Sequence, residues 1–206
     1  MKCVFLFLLV FVFAGECYSQ DSPVVIRVHF LYGSKPRSRY ETTEPKWFGG
    51  KPGGHAGIEY RKDSIIDFLH WGRFHLVQKR GDKHGQYKIH SIKSFYAILG
   101  GNPDSVKKAI VIIPITRIQK RLLDSLVINY RINTPYDYAL IGMRCAAATY
   151  DILSRLGILK PLSFRKTYLN IFFPRKLRKR LFKKARKSGW VIERQEGSEK
   201  RKWDKD

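Results

Sequence analysis

GGHAGIEYRKDSIIDFLH, residues 53–70, is the stretch on which the reading of this chain turns. HAGIEY (55–60) and SIIDFLH (64–70) are short β-prone runs on either side of Arg61-Lys62-Asp63, and together they predict a hairpin. A two-residue turn at Lys62-Asp63 pairs positions that sum to 125, which sets His55 opposite His70. The two glycines before His55 close a loop over 33–54 rich in Gly, Pro, Ser, Lys and Arg. That loop lacks the Gly-Lys-Ser/Thr ending of a phosphate-binding loop. Its glycines suit close passage of the backbone instead.

Outward from the hairpin, strands are predicted at VVIRVHFLY (24–32), RFHLV (73–77), YKIHSI (87–92) and KKAIVIIPI (107–115). Thr116 then reads as a helix N-cap. Ile118, Leu122, Leu126 and Tyr130 follow at i+4 spacing, with Leu123 and Val127 beside them. That helix ends near Asn133, because Pro135 forbids its continuation. TPYDYALIG (134–142) reads as a loop into a second helix at about 143–156, stopped by Gly157. Pro161 marks a break. A third helix fits 174–187, with Pro174 at its first position and Gly189 just past its end. WVIERQ (190–195) reads as a last strand, and the tail from Gly197 as frayed. No internal repeat is present, and the pattern predicts an α+β protein: an antiparallel sheet packed against helices.

With 206 residues, 44% hydrophobic and 14% aromatic, the chain can build one packed core, and neither wholesale disorder nor a multi-domain machine fits. Three Cys exclude a disulfide-stapled mini-protein. Met1-Lys2, the apolar run Val4 to Ala14 and the small and polar residues after it predict a signal peptide over 1–19, cleaved near Ser19–Gln20. Eleven apolar residues span only about 16 Å as a helix, short of the roughly 30 Å hydrocarbon core. The localisation expected is secreted or periplasmic, with membrane association open. Removal of the leader takes Cys3 and Cys17 with it and leaves Cys145 as the one thiol.

Cys145 lies in GMRCAAATYDIL (142–153), at or near the start of the second helix. A helix N-terminus presents unpaired N–H groups and partial positive charge, which favour a thiolate and can hold an oxyanion. Arg144 next to it adds to that effect. His55, at the start of a strand, is the best-placed base. The alternatives are ordinary ones: a buried Cys among Ala146, Ala147 and Ala148, and a structural His.

The whole arrangement resembles the circularly permuted NlpC-type papain-like cysteine hydrolases, the branch that includes the lecithin retinol acyltransferase group. The resemblance covers roughly 54–157. It rests on His55, Gly57 and Ile58 in a His-x-Gly-Ile strand, Asp67 twelve positions later, and Tyr136-Asp137 shortly before the Cys. It implies a papain-like, circularly permuted fold. It also implies Cys145 as nucleophile, His55 as base and Asp67 as the residue that orients His55. Two features depart from the family pattern: Ala146 follows the Cys where relatives often carry Ser, and Asp67 stands where they carry His or Glu. His70 remains the other choice for the third position. Tyr136 either lines the site or packs as a loop aromatic. The activity implied is hydrolysis or acyl transfer at an amide or ester bond through a thioacyl intermediate.

On this reading 1–19 is the leader, 20–162 a papain-like catalytic domain and 163–206 a basic helical extension. No cofactor is expected. No metal is expected either, since His-Glu-x-x-His and paired-Cys spacings are absent and His70 and His75 do not make a ligand set. The chain carries a net charge of +23, and Arg165 to Asp206 contribute 16 Lys+Arg against five Asp+Glu. Phe173, Leu177, Leu181 and Ala185 form one apolar stripe of the third helix. Its other face reads Arg175, Lys176, Arg178, Lys179, Arg180, Lys183, Lys184, Arg186 and Lys187. The partners to expect are an amide or ester substrate and, through 165–190, anionic lipid, lipopolysaccharide or cell-wall polymer. Nucleic acid is not expected, because the chain reads as exported and shows no stacking motif. A non-catalytic module of the same fold, binding such a surface, is the alternative function.

Overall fold

The structure, a computed structural model, describes residues 24–36, 53–72, 74–97, 103–197 and 201–203. The leader over 1–19 and most of the 33–54 loop lie outside the described residues.

The hairpin is present as β3 (Gly54–Arg61) and β4 (Ser64–His70). Around it β1 (Val24–Tyr32), β6 (Gly85–His90), β7 (Lys108–Ile115) and β9 (Val191–Gln195) complete a six-stranded sheet ordered β6-β4-β3-β1-β7-β9, antiparallel throughout. Two short ribbons stand apart. β2 (Ser34–Pro36) pairs with β10 (Arg201–Trp203), and β5 (His75–Val77) pairs in parallel with β8 (Ala139–Ile141). The helices are α1 (Ile92–Ala97), α2 (Arg117–Ile132), α3 (Cys145–Arg155), α4 (Phe164–Asn170) and α5 (Pro174–Ser188). The protein is α+β.

Strand alternation divides the sheet into two faces. Ile26, Val28, Phe30, Ala56, Ile58, Ile66, Phe68, Val111 and Ile113 point to one face, under α2, α3 and α5, and form the main core. Arg27, His29, Leu31, His55, Glu59, Ile65 and Asp67 point to the other. There a smaller cluster of Leu31, Ile65, Phe95, Tyr96 and Val106 forms under α1.

Which face receives Asp67 depends on a single irregularity. Arg61 pairs with Ser64, a sum of 125, but beyond a bulge between Glu59 and Arg61 the register becomes Ile58↔Ile66 and Gly57↔Asp67, a sum of 124. In the regular hairpin Asp67 would oppose Ile58 and point away from His55. The extra residue restores the parity and brings both to one face. Asp63 sustains the turn with φ 54°, and its carboxylate accepts the N–H of Ile92 at 2.8 Å. His70, expected opposite His55, instead ends exposed at the strand terminus, its ring against Phe74 and Tyr138.

Thr116 caps α2 as expected, in a reciprocal box with Gln119, whose side chain also donates to Leu156 O at 2.6 Å and ties α2 to the end of α3. The buried stripe of α2 is Leu123, Val127 and Tyr130, while Ile118 and Leu122 of the expected i+4 row are exposed. A strict four-residue step drifts around a 3.6-residue helix, and packing follows the mixed 3/4 row.

The segment after 162 is not an appendage to a finished domain. Leu177, Leu181, Phe182 and Ala185 of α5 are part of the main core, and β9 is the sixth strand of the same sheet. The boundary at 162/163 therefore divides no two cores. Arg178, expected on the solvated face of α5, is fully buried with its guanidinium 3.6 Å from the Tyr32 ring centroid. Lys176, Lys179, Lys183, Arg186 and Lys187 are exposed.

Candidate active site

Cys145 is the first residue of α3, and the Arg144 N-cap has extended backbone (φ −137°, ψ 172°) and no side-chain capping bond. The cap therefore leaves the first-turn N–H groups of α3 without a side-chain acceptor from Arg144, beside the thiol. Ala146, Ala147 and Ala148 are fully buried, and small side chains here let α3 lie close on β3 and β4. Thr149 Oγ1 meets Ala56 O at 3.5 Å and fixes the depth of that approach.

Strand β3 delivers His55 to the thiol. Gly54 holds φ +107° immediately before it, and a Cβ there would run into the carbonyl of Leu31. This is one glycine of the loop whose need is plain. His55 is buried, and its Nε2–H donates to Asp67 Oδ2 at 2.6 Å. Nε2 is thereby committed, so Nδ1 is the nitrogen left to exchange a proton with Cys145, with which the imidazole interacts side chain to side chain. Asp67 is buried too, and its Oδ1 lies 3.4 Å from His90 Nε2.

The electrostatics favour an ion pair. Burial alone would push the His55 imidazole down, but the Cys145 charge and the bonds to Asp67 and Cys145 outweigh it, and His55 is pushed up to about 10. For Cys145 burial pushes the thiol up, yet the His55 charge and hydrogen bond, the Arg144 charge and the Ala56 N–H hold it below the usual thiol value. His55, the Arg144 charge and the Ala56 N–H therefore all favour the thiolate.

Gly57, the third residue of the His-x-Gly-Ile run, has a specific role. A Cβ there would sit 2.7 Å from Ile65 Cγ2 and 2.8 Å from Phe95 Cε2. Phe95 lies down on the bare strand, and its ring centroid comes 5.3 Å from that of His55 and 6.1 Å from that of His29. Behind it His29 bridges Tyr96 Oη (2.8 Å) and Glu59 Oε2 (2.9 Å). Burial pushes Glu59 up, but the His29 bond and charge and nearby Arg27 hold it below the usual carboxylate range. This second acid–imidazole pair forms the back wall of the site.

The YDY run of residues 136–138 divides its work, and Tyr136 takes the second of the two roles the sequence left open. The Tyr136 hydroxyl donates to Asp151 on α3, so this residue ties the loop to the helix and does not line the site. Asp137 is fully buried and accepts from His75 Nδ1 (2.7 Å), Lys79 N (2.9 Å) and His84 N (2.8 Å), which pins the 75–84 segment. Tyr138 is the tyrosine at the thiol: its hydroxyl meets the Cys145 N–H and the Arg144 guanidinium. Burial and the Cys145 charge push that phenol well above its usual value. The sequence singled out Tyr136, whereas the residue two positions on, also aromatic, carries the contact.

Among the described residues one group has the donor atoms for a metal: His75, Asp82 and His84, with ligand atoms within 4.8 Å of one another. The two imidazoles lie face to face, 4.4 Å apart and 23° from parallel. Their in-plane lone pairs do not converge in that arrangement. Lys79 Nζ also stands 3.9 Å from Asp82 Oδ2. His70 is not in this group.

No protein-family model, curated protein or solved structure matches the chain.

Proposed function

We propose that this protein is an exported cysteine hydrolase or acyltransferase of the permuted papain-like kind, with Cys145 as nucleophile, His55 as acid–base and Asp67 as the residue that orients His55. The observation that carries the reading is the unbroken line from the helix-terminal thiol through the His55 imidazole to the buried Asp67 carboxylate. In the proposed reaction the Cys145 thiolate attacks the carbonyl carbon of an amide or ester. The negative charge on the carbonyl oxygen falls to the Cys145 N–H, and the Tyr138 hydroxyl, which stays protonated, turns from that N–H to donate a hydrogen bond to the same oxygen. The C–N or C–O bond breaks, and the proton on His55 Nδ1 goes to the leaving group. A thioester remains on Cys145. His55 then takes a proton from water or another acceptor, which attacks the thioester carbonyl; the C–S bond breaks, the acyl product leaves, and the Cys145 thiolate and protonated His55 are restored.

The test is alkylation of Cys145 by iodoacetamide near neutral pH. We expect labelling faster than a free model thiol despite the burial of the residue, and no labelling of Cys145→Ala, which should keep the parent's fold by circular dichroism. Labelling that needs denaturant to proceed would overturn the reading.

A second reading, a surface-binding module, draws on the exposed lysines and arginines of α5. Adsorption to anionic lipid, lipopolysaccharide or cell-wall polymer through that face would be electrostatic and would fade with salt.

A further inference from the structure

Six large apolar side chains gather on the exposed β5–β8 ribbon and the turn before it: Trp71, Phe74, Leu76, Val77, Leu140 and Ile141 stand between 37% and 63% exposed. Leu76, Val77, Leu140 and Ile141 are neighbours in space, since His75 pairs with Ala139 and Val77 with Ile141 in the parallel ribbon, and Phe74 joins them on Tyr138 just before β8. Each strand buries its first residue and exposes the next two, so nothing else of the described fold covers this ribbon. Soluble surfaces scatter such residues singly, and a contiguous group marks a contact surface. The loop that follows β5 carries Lys79 and Arg80, both exposed, and Lys83 against a single acid, Asp82, which lies 3.9 Å from Lys79 Nζ, so the loop stays net positive. An aromatic and aliphatic tip with cationic shoulders is the composition that settles at the boundary between headgroups and acyl chains.

The ribbon is held rigidly. Asp137 anchors its underside through His75, Lys79 and His84, and Phe74 packs on Tyr138 at 5.8 Å between ring centroids. We infer that the β5–β8 ribbon is a docking lip that inserts its apolar side chains into an anionic lipid bilayer. At its base the lip folds back on the segment before α3, through the Tyr138–Met143 bridge and the Ala139 N–H to Met143 O at 3.3 Å, so docking would bring the start of α3 toward the bilayer. The inference goes beyond the thiol chemistry and does not depend on it. It also differs in physics from adsorption through α5, because apolar insertion survives added salt.

The test uses the chain with phosphatidylcholine–phosphatidylglycerol vesicles whose acyl chains are brominated. Tryptophan emission should be quenched on binding, and Trp71→Phe should remove most of that quenching. Leu76→Ser/Val77→Ser/Ile141→Ser should weaken partitioning by about tenfold or more, with its thermal unfolding unchanged. Binding of the parent should persist at high salt, and Cys145→Ala should bind like the parent whatever becomes of the catalytic reading. Absence of partitioning would overturn the inference. So would partitioning untouched by the lip substitutions, or partitioning abolished by salt alone. Self-association in gel filtration that vanishes in the triple variant would give the lip to a second copy of the chain and would overturn it equally.

Discussion

The Cys145–His55 couple makes a definite statement about pH. His55 in the folded chain lies at about 10, above its ordinary 6.5, so its contribution to stability is complete below pH 6.5 and is lost as the pH rises through about 10. Cys145 lies below its ordinary 9.0, so its contribution is complete above pH 9.0 and is lost as the pH falls through that lowered value. Between the two limits both groups are charged. The alkylation rate of Cys145 should therefore be flat through neutrality and fall only in acid. In His55→Ala the acid limb should move up toward that of an ordinary thiol, and kcat on an activated ester should drop by about 10²–10⁴-fold. Asp67→Asn should lower kcat less and leave KM unchanged, because Asp67 acts on substrate only through the imidazole. A pH–rate profile of His55→Ala that matches the parent would contradict this account. The thiol, the imidazole and the carboxylate were all legible in the sequence as residues. Tyr138 was not, because a tyrosine two positions from another tyrosine gives no signal of which one reaches the helix terminus.

At the scale of elements, legibility followed length and periodicity. β1 and β7 are long apolar runs, and α2 announces itself through Thr116 and Gln119, so each was readable. α1 and α4 are six and seven residues long and carry no repeating stripe, and β8 is three residues in a stretch that looks like a loop. Each exists because the rest of the fold holds it. The bulge at Glu59–Arg61 left no trace in composition, yet it decides which residue faces His55: the sequence kept Asp67 and His70 both open, and only the shifted register separates them. The hairpin is also where substitution should be least forgiving. Gly57→Ala would drive a methyl into Ile65 and Phe95, and this overpacking should cost about 1–3 kcal/mol in a urea titration. Phe95 would be displaced from His55, so Cys145 reactivity should fall along with stability. A variant as stable and as reactive as the parent would show that the strand yields.

Over the whole molecule, the strongest departure from the sequence reading is the role of the last forty residues. Charge made them look like an appendage, because nine Lys and Arg of α5 dominate any composition window. Burial says otherwise: Arg178 stacks on Tyr32 of the central strand, and α5 supplies core side chains. Arg178→Ala should destabilise the fold by about 2 kcal/mol or more, through lost packing and a lost desolvated cation–π contact. Lys179→Ala, one residue on and exposed, should stay within about 0.5 kcal/mol. Equal losses in thermal unfolding would return the helix to the surface role its composition suggests. The sixth strand has a consequence in time. β9 follows every other strand of its sheet in chain order, yet it closes the edge of β7, and α5 just before it roofs the inner strands. A nascent polypeptide halted ahead of these elements exposes its greasy sheet and has no finished state to fall into. The strands that precede α5 and β9 therefore wait for them before the molecule acquires a shape, and until then the chain stays threadable.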